Sequence, residues 1–207
     1  MKPLNNNLIT TTDEFSSFYE HIKSLGVNLT IEDFALVVPF LKTKKIKKGT
    51  VFVKFGEINQ EVYYSIKGMA RSFYQLPNGT EKTYFIITEH KIFADYVSIL
   101  SQTPATENIE AIEDMQVYCI SYADLLHLST THHIWETIIR NVSDFNHAYS
   151  QKRLRSMMND DAATRYNKFL KHSEGVAHRI PQHIIASYLG ITPQSFSRLK
   201  KEVALNV

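Results

Sequence analysis

The chain of 207 residues lacks both paired cysteines and long apolar runs. Its single thiol, Cys119, cannot form an internal disulfide or supply the four thiolates that hold an iron–sulfur cluster. No apolar run approaches the roughly 20 residues needed to cross a bilayer, and the first residues, MKPLNNNLITTTDEF, lack the apolar core of a signal peptide. These absences lead us to expect a cytoplasmic protein with no membrane partner.

The usual signatures of catalysis and metal binding are also missing. The sequence has no nucleophile elbow, phosphate-binding loop or metalloprotease motif. An enzyme built on a cupin-like barrel would need several metal ligands on facing strands, but residues 50–122 contain one histidine, His90. His132 and His133 are adjacent, so on a helix they would point about 100° apart and form a poor chelate. We expect no enzymatic activity, no metal site and no certain cofactor.

Charge is distributed unevenly along the chain. The net charge is +2, but from Gln151 onward ten Lys and Arg stand against four Asp and Glu, a balance of +6. The preceding residues carry 13 basic and 17 acidic side chains, a balance of −4. Basic character is therefore concentrated in the C-terminal part, which favours a nucleic acid partner there.

The middle of the chain predicts an all-β domain. Residues 50–122 contain short runs rich in Val, Ile, Phe, Tyr and Thr, separated by glycines and by the turn Pro77-Asn78-Gly79. Asn-Gly between such runs is a strong hairpin signal, because both residues tolerate positive φ. Short strands with regular turns indicate a sandwich, jelly roll or small barrel. We interpret residues 1–130 as a sensor domain.

Helices are predicted on both sides of this β region. A capping box at Thr30, with Asp33 at the third helical position, predicts a helix from Thr30 to about Leu41. Downstream, residues 131–158 predict one long helix with apolar side chains at helical spacing. This stripe could pack on the chain's own β-domain, on the same helix of a second copy, or on both. Its members are Trp135, Ile138, Val142, Phe145 and Tyr149.

Residues 179–203, RIPQHIIASYLGITPQSFSRLKKEV, predict two short helices joined by a tight turn. Gly190 can adopt the left-handed conformation that closes the first helix. Thr192 then caps the second helix, and Pro193 fits its first position. Residues 159–207 are thus predicted to form a helix-turn-helix domain with room for only a reduced wing.

The second of these helices has an apolar face and a polar stripe. Phe196 and Leu199 lie on the apolar side, and the stripe consists of Gln194, Arg198 and Lys201. Arginine can make two hydrogen bonds to guanine, glutamine can pair with adenine, and lysine neutralises phosphate. The stripe therefore suits the major groove of double-stranded DNA.

The order of these parts resembles the Crp/Fnr family of bacterial transcription regulators. In the sensor, the resemblance rests on KKGTVFVKFGEINQEVYYSIKGMARSFY and on PATENIEAIEDMQVYCISYADLLHL. It implies an α+β fold, with a cyclic nucleotide-binding-like jelly roll, a dimerisation helix and a winged-helix-like helix-turn-helix. It also implies a homodimer that binds an inverted repeat of DNA, and RNA polymerase as a further partner.

The same resemblance assigns roles within the helix-turn-helix. The family's base-reading positions are occupied by Gln194, Ser197 and Arg198. At position 194 the family more commonly has an acidic residue, which glutamine replaces in this sequence. A second set is expected to contact the DNA backbone: Arg179, Thr192, Ser195, Lys200 and Lys201.

The resemblance also locates a ligand pocket and shows where this sequence departs from it. The family's Gly-Glu pair, which binds the ribose, corresponds to Ala94-Asp95, and its Arg-Ser pair, which binds the cyclic phosphate, corresponds to Ala105-Thr106. Without the arginine, the forked contact that a phosphate most needs is lost. We therefore do not expect cyclic nucleotide binding, and an unknown small-molecule effector stays open. The alternative function is a small-ligand sensor whose helical tail binds a protein instead of DNA.

Overall fold

The computed structural model describes residues 13–173 and 175–205. Its eight strands form two four-stranded antiparallel sheets, in the orders β1-β8-β3-β6 and β2-β7-β4-β5. This alternation of strands between two sheets is a jelly roll and confirms the predicted all-β domain. The strands are β1 (Lys42–Ile46), β2 (Val51–Val53), β3 (Glu61–Lys67), β4 (Ala70–Gln75), β5 (Glu81–Ile87), β6 (Ile92–Phe93), β7 (Asn108–Ala111) and β8 (Met115–Ser121).

Within the described residues, eight α-helices precede, interrupt and follow the strands. They are α1 (Asp13–Ser24), α2 (Ile31–Ala35), α3 (Tyr96–Ser101), α4 (Tyr122–Thr131), α5 (His133–Asn159), α6 (Ala162–His172), α7 (Gln182–Leu189) and α8 (Pro193–Leu205). No strand follows α8 within the described residues, so no wing is present there. None of the helices in the described ranges is both long and apolar enough to span a membrane.

Two predicted helices differ from the structure in extent. The capping box at Thr30 and Asp33 is present, but α2 ends at Ala35 and a separate 3-10 turn covers Val38–Phe40. Pro39 lies within that turn, where its fixed φ and missing N–H suit a new start better than a continuing helix. The long helix begins at His133, because the preceding ten residues form α4 as a separate element.

The predicted hairpin connects β4 and β5. Gly79 has φ of +82°, and Leu76 donates its backbone N–H to the Thr80 carbonyl at 2.9 Å. Asn78 closes the turn because its Oδ1 accepts a hydrogen bond from the Thr80 N–H at 3.0 Å. The Asn-Gly signal therefore located this turn correctly.

Apolar side chains form three successive layers through the molecule. The middle layer lies between the two sheets and contains the buried thiol of Cys119. A second layer joins the outer face of the first sheet to α1, α2, α4 and α5. The third joins the outer face of the second sheet to α6, α7 and α8, and its members from the jelly roll are Ile86 of β5, Met69 just before β4 and Ile112 just after β7.

The turn between β3 and β4 supplies a test of close backbone packing. Gly68 has φ of +82°, and a Cβ atom there would lie 2.4 Å from the Asp114 carbonyl oxygen. Gly79 has the same φ but open space around it. We expect Gly68→Ala to lower the free energy of unfolding by about 2–4 kcal/mol, and the control Gly79→Ala by about 1 kcal/mol. Urea unfolding measures both, and equal losses would contradict the packing argument.

Candidate nucleic-acid interface

The tight turn between α7 and α8 has the predicted geometry. Gly190 has φ of +74°, and its N–H donates to the Ser187 carbonyl at 3.1 Å. The Thr192 side chain caps α8, because its Oγ1 accepts from the Ser195 N–H at 3.1 Å. Pro193 is the first residue of α8. Local chemistry therefore fixes the relative direction of the two helices.

Helix α8 separates apolar from polar side chains. Phe196 and Leu199 are buried against α6 and α7, and Ala186 of α7 is fully buried where the helices approach. The opposite side of α8 exposes an amide, hydroxyls, a guanidinium and two ammonium groups. These exposed residues are Gln194, Ser195, Ser197, Arg198, Lys200 and Lys201. The predicted DNA-reading residues thus share one solvent-facing surface, the α8 polar face.

Arg179, which was expected at the DNA backbone, has its guanidinium paired with two carboxylates of the jelly roll. Its Nε donates to Glu113 Oε1 at 3.0 Å, and its Nη2 donates to Glu89 Oε1 at 2.6 Å and to the second oxygen of Glu113. Burial by itself raises the pKa of Glu89. Hydrogen bonds from Arg179 and the Gly68 N–H outweigh this effect and hold the pKa below its ordinary value. Both carboxylates belong to turns of the jelly roll. The ion pairs of Arg179 therefore connect the helix-turn-helix region to the jelly roll.

Further polar contacts join α7 to β5 and α5. The Thr83 N–H donates to Ser187 Oγ at 2.8 Å. Arg153 of α5 donates from Nε to the Tyr84 carbonyl at 2.9 Å and from Nη2 to the Tyr188 carbonyl at 2.6 Å. Its guanidinium carbon also lies 3.7 Å from the centre of the Tyr188 ring. Sequence reasoning missed these residues, because only the tertiary structure brings together side chains so distant in the chain.

The first half of α5 packs on its own chain. Trp135 is 2% exposed, and its Nε1 donates to the Asp33 carbonyl at 3.2 Å; Ile138 is buried in the same layer and Val142 packs against it. The sequence left open whether these three residues pack on the chain's own β-domain or on a second copy, and here their side chains cover the outer face of the first sheet.

The second half of α5 is more open. The Tyr149 hydroxyl lies 3.1 Å from that of Tyr188, and its ring packs on Phe85, so this predicted seam residue also serves the chain's own packing. Phe145 is 54% exposed and is the one member of the predicted seam whose side chain is mostly free. Other exposed apolar side chains follow it along the helix: Leu154, Met157 and Met158.

The residues of the expected ligand pocket lie at the start of α3 and before β7. Ala94, Asp95 and Ala105 are buried, whereas Thr106 is exposed. Asp95 Oδ1 caps α3 by accepting from the Ser98 N–H at 2.9 Å. Its Oδ2 has no hydrogen-bond partner among the described residues, although Asp95 is only 2% exposed. A buried carboxylate oxygen without a donor calls for a hydrogen-bond donor.

A second carboxyl, which the sequence prediction missed, lies close to Asp95. Burial raises the pKa of Glu107 to about 7, and the nearby charge of Asp95 adds to this shift. The buried arginine of β4, Arg71, serves the other face of the sheet, where it binds Glu110 and Glu81 at 2.8 and 2.6 Å. The pocket region is therefore acidic.

Comparison with known proteins identifies the jelly roll. The profile of the family described as cyclic nucleotide-binding domain matches residues 43–132. The chain contains a cyclic nucleotide-binding domain. No curated protein sequence matches the chain. The family resemblance noted from the sequence is thus confirmed for this domain.

Solved structures show that the fold extends beyond the cyclic nucleotide-binding domain. FixK2 from Bradyrhizobium japonicum is 17% identical with a TM-score of 0.72, covering 80% of this chain and 85% of its own. A putative transcriptional regulator of the Crp/Fnr family from Eubacterium rectale is 16% identical with a TM-score of 0.67, covering 86% and 85%. The catabolite activator protein of Thermus thermophilus is 19% identical with a TM-score of 0.56, covering 88% and 87%. The chain therefore has the Crp/Fnr fold.

The pocket residues of this cyclic nucleotide-binding domain do not fit a cyclic phosphate. Ala105 stands where the resemblance expects the phosphate-binding arginine, and the charge of Asp95 contributes to the raised pKa of the Glu107 carboxyl, two residues further along the chain. A phosphate brought to this place would meet carboxylate charge instead of a guanidinium, which disfavours binding. The site is better suited to a hydrogen-bond donor than to an anion.

The role of Arg179 can be tested separately from DNA contact. We expect Arg179→Gln to lower the free energy of unfolding by about 1–2 kcal/mol, because Glu89 and Glu113 lose their shared partner. The slope of log affinity for DNA against log salt concentration should stay unchanged, whereas loss of a phosphate contact would reduce it by about one. Urea unfolding and a salt titration of DNA binding supply the two measurements. A reduced slope with unchanged stability would show that Arg179 contacts phosphate and does not stabilise the fold.

The Glu107 carboxyl predicts a specific pH dependence. Because its pKa in the folded chain is raised from 4.5 to about 7, the folded state holds this proton more tightly and loses relative stability as pH rises through that window. We expect Glu107→Gln to gain about 1–2 kcal/mol over wild type at pH 8 and to lose this advantage by pH 4.5. Unfolding at several pH values measures it. The exposed Glu32→Gln is the control, and a difference from wild type that does not vary with pH would refute the assignment.

Proposed function

We propose that the protein is a sequence-specific DNA-binding transcription regulator of the Crp/Fnr type. The observation that carries this proposal is the α8 polar face, which exposes all of the predicted DNA-reading side chains while Phe196 and Leu199 are buried on the other side. The fold shared with a structure named as a Crp/Fnr regulator supports it. Such a regulator would act in the cytoplasm, where bacterial DNA lies.

Three residues of the α8 polar face would read base edges. Arg198 presents a forked donor that matches the two acceptors of guanine, and Gln194 presents the donor and acceptor that match adenine. Ser197 can bond either kind of edge. Helix α8 has 13 residues, a length of about 20 Å, and a major groove about 12 Å wide admits a helix of this kind.

Other groups near this face would hold the DNA backbone. Lys200 and Lys201 are exposed on the same helix and would neutralise phosphates. Thr192 and Ser195 lie at its first turn, where backbone N–H groups and the positive end of the helix also attract phosphate. Arg179 is left out of this set because it is bound to Glu89 and Glu113.

Two copies would place two recognition helices on one DNA duplex. We take residues 1–130 as sensor, 131–158 as connecting helix and 159–207 as DNA-binding domain. The exposed apolar residues of the second half of α5, beginning with Phe145, offer the surface for the second copy. A twofold dimer requires an inverted repeat whose half-sites are about one helical turn apart. RNA polymerase would be the further partner of such a regulator.

Salt dependence tests DNA binding against the alternative of a protein partner. Neutralising phosphates releases counterions, so affinity for duplex DNA should fall steeply as salt rises. Fluorescence anisotropy with a labelled duplex, from low to physiological salt, measures this slope. Failure to bind any duplex at low salt would reject the proposal and favour a sensor whose helical tail binds protein.

Removal of one guanidinium tests the assignment of the α8 polar face. We expect Arg198→Ala to weaken binding to a selected site by about 1–3 kcal/mol and to relax the preference for one base, because the forked contact is lost. Arg140→Ala is the control, since it removes the same group from an exposed position on α5. Competition binding with single-base variants of the site measures both effects. Unchanged affinity and selectivity of Arg198→Ala would exclude this residue from base reading.

A further inference from the structure

A cavity of about 80 Å³ lies between the outer face of the first sheet and the helices that cover it. Four helices and three strands contribute to its lining, which is almost entirely apolar. Phe18 comes from α1, Tyr64 from β3, Tyr96 from α3, Leu125 from α4 and Ile138 from α5. This cavity is separate from Asp95 and Glu107, so it belongs to neither of the sites described above.

The size and chemistry of this cavity select an apolar occupant. Its volume would hold about three water molecules, but a buried water needs two to four polar partners and most lining groups offer none. Apolar cavities of this kind stay dry and take small apolar molecules.

Tyr96, one of the lining residues, has a hydroxyl with a proton to donate. The Tyr96 hydroxyl accepts a hydrogen bond from Asn146 Nδ2 at 2.9 Å and donates to no acceptor among the described residues. Burial raises its pKa, so the hydroxyl keeps its proton. A ligand with a single acceptor oxygen could therefore satisfy this donor while its carbon atoms fill the apolar space.

The cavity has an edge from which a ligand could enter. Leu100, on the last turn of α3, lines the cavity and is 60% exposed. Movement of this side chain would open the space without breaking a strand. The opposite wall includes Ile138 and Val142 of α5, the helix that leads to α6 and the helix-turn-helix.

We propose that this cavity binds a small apolar molecule of about five non-hydrogen atoms that carries one hydrogen-bond acceptor, which bonds to Tyr96. The same chemistry can come from a free small molecule or from the end of a longer apolar chain that extends past Leu100. This site goes beyond the proposed DNA-binding function. It is tested on the protein alone, so its failure would leave that function untouched.

A matched pair of probes separates apolar recognition from simple access. 2-Butanone and propionamide have nearly the same shape, but propionamide carries an amide nitrogen in place of a methyl group. Methyl NMR of the full chain should show saturable shifts with 2-butanone at the isoleucines around the cavity, including Ile138. Propionamide should bind at least about tenfold more weakly, because its N–H groups find no partner. Hexanone and decanone then distinguish a free small molecule from a chain end, since only a chain that extends past Leu100 gains affinity with length.

Paired variants test the location of the site. Leu125→Trp fills the cavity and should abolish the saturable shifts, whereas Leu126→Trp, at an exposed neighbouring position outside the lining, should leave them intact. Leu125→Ala enlarges the cavity and should add binding of benzene, so the proposal stays testable even if the tryptophan variant fails to fold. Tyr96→Phe should lower the affinity for 2-butanone several-fold and leave the affinity for xenon unchanged.

Two results would overturn the proposal. One is the absence of saturable shifts in folded wild-type protein, or shifts that Leu126→Trp removes as fully as Leu125→Trp. The other is filling of the cavity by a second copy. In that case the lining methyl groups would shift with protein concentration alone, and 2-butanone would compete with self-association instead of binding independently.

Discussion

Strands β3, β4 and β8 are buried on both faces over most of their length, and the arrangement of the helices depends on this constraint. Successive side chains of a strand point to opposite faces. In β3, Tyr63 points between the sheets and Tyr64 points outward, yet both are buried. Val117 and Tyr118 of β8 repeat the pattern. A jelly roll with such strands exposes apolar surface on two sides until helices cover it, and burial of that surface is the main favourable contribution to folding.

Covering the second sheet positions the DNA-binding part. Met69 and Ile112 of the jelly roll share an apolar layer with Ile180, Ile184 and Leu189 of the helix-turn-helix region. Around this layer, the ion pairs of Arg179 and the hydrogen bonds of Ser187 and Arg153 fix its orientation. Because α7 faces the sheet, α8 lies outside it with its polar side in solvent. The exposure of Arg198 follows from the burial of α7.

Features set by neighbouring residues could be predicted from the sequence. The capping box at Thr30, the Asn78-Gly79 hairpin and the closure of α7 at Gly190 each depend on a few adjacent side chains and on backbone preferences. For the same reason the polar side of α8 could be predicted, since helical spacing alone determines which residues share a face.

Features set by distant partners could not be predicted in this way. A lone Arg179 near basic residues resembles a phosphate ligand, and only the fold brings Glu89 and Glu113 to it. Apolar spacing in α5 fits a contact within the chain and a contact with a second copy equally well. Only the fold shows that Trp135 packs on the outer face of the first sheet. Glu107 lies in a run of polar residues, so its burial has no signal in sequence.

Selection of binding sites from random duplex DNA tests the central claim most directly, because it reports on the α8 polar face and on pairing of two copies together. The account predicts an enriched inverted repeat with half-sites about one helical turn apart. Enrichment of no sequence at low salt, or of a single unpaired half-site by a protein that stays monomeric, would contradict it.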